Sequence, residues 1–239
     1  NPATGEPLTG DYAKNRIRWE PLYEITQIKG DGEAHPFLSP DDEFADYETW
    51  DIGNLDVSVA KTNDMLAGEY AREALKRGLI LESKKGTNPY KFGIIGATDS
   101  HTSLATAEED NFFGKHTGYE PKPGRLDHPF MKTDKGSILG WQMVASGLAA
   151  VWAEENTRDA IFAGMKRREV YATSGPRISL RFFAGWGFDP AITSERAPVA
   201  VATAGGVPMG GVLWPEQGQA GSPTFFVWAG ADWMSAPLQ

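Results

Sequence analysis

Cysteine is missing altogether from the 239 residues, which removes disulfides, thiolate metal sites and cysteine nucleophiles and leaves the redox compartment open. Positive charge is in short supply: 23 Lys and Arg face 32 Asp and Glu, for a net charge of -9. Such a balance gives no non-specific attraction to a phosphate backbone, so no nucleic-acid partner is expected. The basic run Lys166-Arg167-Arg168 reads as the solvated face of a helix. Long apolar runs are absent too. A stretch such as Gly147-Leu148-Ala149-Ala150-Val151-Trp152 falls far short of the roughly 20 residues of a membrane span. There is no Walker sequence and no dinucleotide fingerprint. Ser174 lacks the nucleophile elbow of a serine hydrolase. The amino end, Asn1-Pro2-Ala3-Thr4-Gly5, has neither an initiating Met nor the regions of a signal peptide, and the carboxyl end follows closely on a strand-like run at 223–228. Both ends read as cuts through a longer protein.

What is there suffices for a core. A hydrophobic share of 41% and a charged share of 23% are ordinary for a folded chain of one large domain or one and a half smaller ones. Residues 22–30 read as a strand entering the loop Gly30-Asp31-Gly32-Glu33-Ala34-His35-Pro36. Apolar positions from Met65 to Lys85 recur at helical spacing and end on Lys84-Lys85-Gly86. Phe92-Gly93-Ile94-Ile95-Gly96-Ala97 is apolar and too short for a helix, which predicts a buried, parallel strand. Strand, loop, helix, strand, loop is the alternation of an α/β layer or barrel, and polar residues at the carboxyl ends of its strands are the default site candidates. Residues 102–140 read as a long polar loop. Asn156 is expected to cap a helix through about Arg168. From residue 176 the pattern turns β-rich, with strand-like runs at 178–182, 199–202, 212–214 and 224–228.

Two constellations can carry chemistry. Asp99 and His101, in Gly96-Ala97-Thr98-Asp99-Ser100-His101, would point apart if extended but can converge in a turn, and both are good ligands for zinc, manganese or iron. The bland alternative is a capping Asp beside an incidental His. Lys29, Glu33 and His35 gather around two glycines. They read either as an oxyanion-binding Lys with a Glu and a His for proton transfer or metal, or as a polar turn. His116 and His128 fall in the polar segment and read as loop histidines. Glu154 and Glu155 read as part of a helix entry rather than as a paired acid and base.

Several stretches together resemble one bacterial family, the domain-of-unknown-function family 3604. They are Glu24-Ile25-Thr26-Gln27-Ile28-Lys29-Gly30, Ser39-Pro40-Asp41-Asp42-Glu43-Phe44-Ala45-Asp46-Tyr47-Glu48, Gly96 to His101, Glu108-Glu109-Asp110-Asn111-Phe112-Phe113-Gly114-Lys115, Trp152-Ala153-Glu154-Glu155-Asn156-Thr157-Arg158 and Thr173-Ser174-Gly175-Pro176-Arg177. The family is similar to the polymerase and histidinol phosphatase (PHP) superfamily. That resemblance implies an α/β fold: residues 1–175 as the C-terminal part of a distorted (β/α)7 barrel, followed by a β-rich extension over 176–239. It implies two or three divalent ions, manganese, zinc or iron, with the superfamily's late D-x-H motif falling on Asp99 and His101 as metal ligands. Lys29, Glu33 and His35 are placed in the catalytic site by loop position.

The superfamily's opening H-x-H motif has no counterpart here, so the expectation is that the parent protein is the enzyme and this chain alone is inactive. The expected reaction is hydrolysis of a phosphate or phosphonate ester, on a small anionic substrate. Hydrolysis of another ester or an amide, or a metal-free binding or scaffold protein, are the alternatives. The resemblance points to the periplasm or envelope and leaves the cytoplasm open.

Overall fold

The computed structural model describes residues 5–49, 51–54, 58–103, 122–125, 127–133, 136–143, 147–215 and 221–238. Helix α1 (Gly10–Trp19) opens the chain, followed by strands β1 (Leu22–Gln27) and β2 (Gly30–Asp31), a short helix α2 (Asn63–Leu66), helix α3 (Ala71–Lys85) and strand β3 (Gly93–Gly96). Strands β4 (Pro129–Thr133) and β5 (Gly136–Leu139) form a hairpin. Strand β6 (Leu148–Val151), helix α4 (Arg158–Arg167) and strand β7 (Val170–Thr173) come next. The last stretch holds β8 (Ser179–Gly185), α5 (Pro198–Gly205), β9 (Val207–Pro208) and β10 (Thr224–Gly230).

The architecture is mixed α/β with several small sheets, and among the described residues no sheet closes into a barrel. Its organising unit is β1, α3 and β3. The two strands pair in parallel, Tyr23 against Ile94, so both carboxyl ends leave the sheet on the same side. β2 adds antiparallel to β1, making the order β2-β1-β3. The antiparallel pair β6 and β7 packs against β3. Small residues permit that approach: a Cβ on Gly147 would lie 2.2 Å from the Thr26 carbonyl oxygen and 2.3 Å from that of Ala97. The segment entering β6 therefore closes directly over the ends of β1 and β3.

α3 starts where its first amides find carbonyls: Ala71 N–H donates to Gly32 O at 2.8 Å and Arg72 N–H to Glu33 O at 3.1 Å. It stops at Gly86, whose φ of 70° only glycine adopts at little cost, as the sequence predicts. The expected single helix from Met65 is broken, because residues 67–70 turn between α2 and α3. The cap of α4 is Thr157 rather than Asn156, its hydroxyl accepting from Ala160 N–H at 3.3 Å.

The β-rich stretch has its own hydrophobic cluster. In the sheet of order β10-β8-β9, Phe183 and Phe226 lie side by side and pack on Ile192 and Ala202. Residues 199–202, expected as a strand, belong to α5. Pro198 starts that helix and Ala202 is fully buried in the cluster, so tertiary packing outweighs the β preference of Val199 and Val201. Residues 212–214 form no strand. The 102–140 segment, expected as loop, contains the β4–β5 hairpin. Ile138 of that hairpin is buried together with Met143, just beyond it, and Ile28, just after β1.

Candidate functional site

Ile28 and Lys29 form the two-residue turn between β1 and β2, closed by the pairing of Gln27 with Gly30. Ile28 is buried, which anchors the turn, and Lys29 N–H donates to Gln27 Oε1 at 3.1 Å. Across the parallel pair, β3 ends at Gly96, and Ala97 N–H extends the ladder to Thr26 O at 3.0 Å. The chain then turns sharply. Asp99 has φ 48°, in the left-handed region that a short polar side chain tolerates better than most. Ser100 N–H on Thr98 Oγ1 at 3.2 Å, and Ser100 Oγ with the buried Thr102 Oγ1 at 2.9 Å, hold the bend.

That bend brings Asp99 and His101 together, with Asp99 Oδ1 and His101 Nε2 3.1 Å apart. The Lys29 ammonium pairs with the other carboxylate oxygen, Oδ2. Three of the five sequence-predicted residues thus meet at one strand end. The cause is topological: neighbouring parallel strands put the turn after one beside the turn after the other.

Glu33 and His35 have different partners. Arg72 of α3 donates to Glu33 Oε1 at 2.9 Å and to Asp42 Oδ2 at 2.6 Å, and this pairing lowers the Asp42 carboxyl from its ordinary range. His35 is buried. Its Nδ1 accepts from Phe37 N–H at 3.0 Å, which leaves Nε2 as the protonated nitrogen facing Asp51 Oδ2 at 2.7 Å. The Tyr70 hydroxyl donates to the second Asp51 oxygen at 3.4 Å, and burial, followed by the Asp51 charge, raises the phenol above its usual range. His128 contributes its backbone carbonyl to Gly140 N–H. His116 lies outside the described residues.

Asp31, Asp51, Tyr70 and Arg72 were not singled out from the sequence. Burial pushes the Asp31 carboxyl up to about 6, opposed by a hydrogen bond from Glu33 N–H and assisted by the Glu33 and Glu48 charges. Its signal was the Gly30-Asp31-Gly32 context, where two glycines flank an acid that the strand pairing draws inward. Asp51 carried no signal, since its partner His35 lies 16 residues away. Beside Lys29 and Asp31 opens a cleft of about 340 Å³, also lined by Lys61, Glu69 and Tyr70, in which Lys61 pairs with Glu69 at 2.5 Å.

An aspartate oxygen and an imidazole nitrogen 3.1 Å apart fit as two donors to one divalent cation. Among the described residues no group of three or more His, Asp or Glu gathers as a metal site, so the pair supplies part of a coordination sphere. The cationic Lys29 on the same carboxylate marks this as a place where positive charge is held.

The chain is therefore a mixed α/β protein with an acid, an imidazole and an ammonium at the carboxyl ends of two parallel strands. It belongs to the family described as "Protein of unknown function (DUF3604)", which matches residues 1–239. No curated protein and no solved structure matches the chain. Among the described residues no helix is long and apolar enough to cross a membrane.

Proposed function

We propose that this chain carries part of the active site of a divalent-metal-dependent hydrolase acting on phosphate or phosphonate esters, with a fold like the distorted (β/α)7 barrel of the PHP superfamily. The observation that carries this reading is the convergence of Asp99 and His101 at 3.1 Å immediately after a parallel strand. β1, α3 and β3 are one unit of the kind from which such a barrel is built.

Asp99 and His101 would hold the ion, manganese, zinc or iron, as two of the ligands in a cluster of two or three ions. When bound, it would supply Lewis acidity and lower the pKa of a coordinated water. Lys29 has two tasks in this scheme. Its ammonium neutralises Asp99 in the absence of other cations, and when released from that carboxylate it binds an anionic oxygen of the substrate. The cleft of about 340 Å³ beside it has room for a small substrate. His35, with both ring nitrogens engaged, and Glu33, paired with Arg72, hold the loop that walls this cleft and take no proton from substrate.

In the full-length protein, Asp99→Ala and His101→Ala should each lower bound transition metal, measured by plasma mass spectrometry. Hydrolysis of bis-p-nitrophenyl phosphate should fall by about a hundredfold or more, the scale of losing a group that orders the reacting centre. Unchanged metal and unchanged turnover in both variants would refute the assignment. A metal-free binding protein is the second reading, favoured by the Lys29 ammonium already sitting on Asp99. It requires that the wild-type protein contain no stoichiometric metal.

A further inference from the structure

We infer that a second ligand site lies at the opposite end of β3 from Asp99, in an apolar cleft with a cationic wall suited to an aromatic carboxylate. The cleft, of about 510 Å³, runs between α3 and residues 210–214. Tyr90, Lys91 and Phe92 line it just before β3 begins, whereas Asp99 follows the strand's end. The two sites are separated by a strand length, on the order of 15 Å.

One wall is α3, where Leu75 and Leu79 stand one turn apart, 38% and 66% exposed. Facing it is Trp214, 67% exposed, with the Lys91 ammonium 5.3 Å from its ring centre. Large apolar side chains left in water around one concavity mark a binding surface rather than scattered exposure. Gly210 makes the cleft possible: a Cβ there would lie 2.3 Å from the Arg168 carbonyl oxygen, so only glycine lets this segment run so close to the end of α4.

The charge of the cleft selects the ligand. Arg168 lines it from the end of α4, and one guanidinium N–H, on Nη1, donates to Lys91 O at 2.7 Å. Its Nε is buried without an acceptor, and among the described residues no carboxylate pairs with this cation. Lys91 is matched by Glu82 at 2.5 Å. Arg168 and Lys91 against Glu82 leave one excess positive charge, in a chain whose net charge is -9. A single uncompensated guanidinium calls for a monoanion with planar oxygens, which a carboxylate supplies and a dianionic phosphate exceeds. The flat indole of Trp214 beside two leucines calls for an aromatic body.

The test is calorimetric titration of the whole chain with 2-naphthoate and with the neutral 2-naphthamide. The acid should bind saturably and the amide at least about tenfold more weakly, the expected cost of losing a charge-assisted hydrogen bond. Trp214→Ala, at an exposed position, and Arg168→Gln should each weaken naphthoate by about tenfold or more. Equal affinity for acid and amide, naphthoate binding undiminished in Trp214→Ala, or no saturable binding would overturn the proposal. If circular dichroism shows Arg168→Gln to be unfolded, the acid-to-amide ratio and Trp214→Ala decide. The readout is binding at the far end of the strand, so it stands or falls independently of any hydrolytic activity at Asp99.

Discussion

Two acid–imidazole contacts in this chain are made of the same groups and built in opposite ways. Asp99 and His101 are two residues apart, joined by one tight bend, and the His101 side chain remains 53% exposed. His35 and Asp51 are 16 residues apart, and the His35 ring is buried. The Phe37 N–H takes Nδ1 and Asp51 takes Nε2, so the His35 imidazole is held at both nitrogens. In the proposed function the first contact is a metal-ligand pair at the mouth of two strands. The second is a pin that fixes a loop. Residue type cannot separate the two contacts, but the burial of the ring can.

Substitution should divide the two contacts. The largest effect falls on chemistry: Asp99→Ala is expected to remove metal and about a hundredfold or more of the turnover. Next comes His35→Ala, which strands the Phe37 N–H, takes the imidazole partner from Asp51 Oδ2 and should destabilise by about 2 kcal/mol in urea unfolding. His101→Ala, at an exposed ring, should stay within about 0.5 kcal/mol in the same unfolding experiment. Equal destabilisation by the two histidine variants would erase the distinction.

A smaller effect concerns Asp31, behind the same loop. Its carboxyl holds a proton up to about 6 when folded, against 3.8 as the ordinary value, so the folded state binds that proton more tightly than the unfolded chain. Stability from this group is therefore full below about pH 4 and is lost as pH rises through about 6. Asp31→Asn, which keeps an acceptor for Glu33 N–H, should stabilise by on the order of 1 kcal/mol at pH 8, after allowing for the solvent that still reaches the group. The gain should vanish at pH 4. Thermal unfolding at the two pH values checks both the sign and the window, and a gain at pH 4 but none at pH 8 would reverse the account of Asp31.

The sequence made the strand-end site legible because that site depends on local pattern. The apolar run ending at Gly96, the β-branched run ending at Gln27 and the helix ending at Gly86 define the unit that brings Lys29 and Asp99 to one side. What the sequence hid depends on distance along the chain. Arg72 reaches Glu33 across 39 positions, and nothing in the Glu33 loop announces it. α1 has an inward face of one buried residue, Ala13, which leaves no buried stripe in its sequence. Val199 and Val201 favour a strand, while the burial of Ala202 against Phe183, which makes α5 a helix, is a tertiary fact.

The most direct test of the central claim is a Mn2+ titration of the protein, followed through the imidazole NMR signals of His101 and His35 assigned by substitution. Paramagnetic broadening should erase the His101 ring signals at substoichiometric ion while those of His35 stay sharp. His101 signals that remain sharp at saturating Mn2+, or that broaden only in step with His35, would contradict the account.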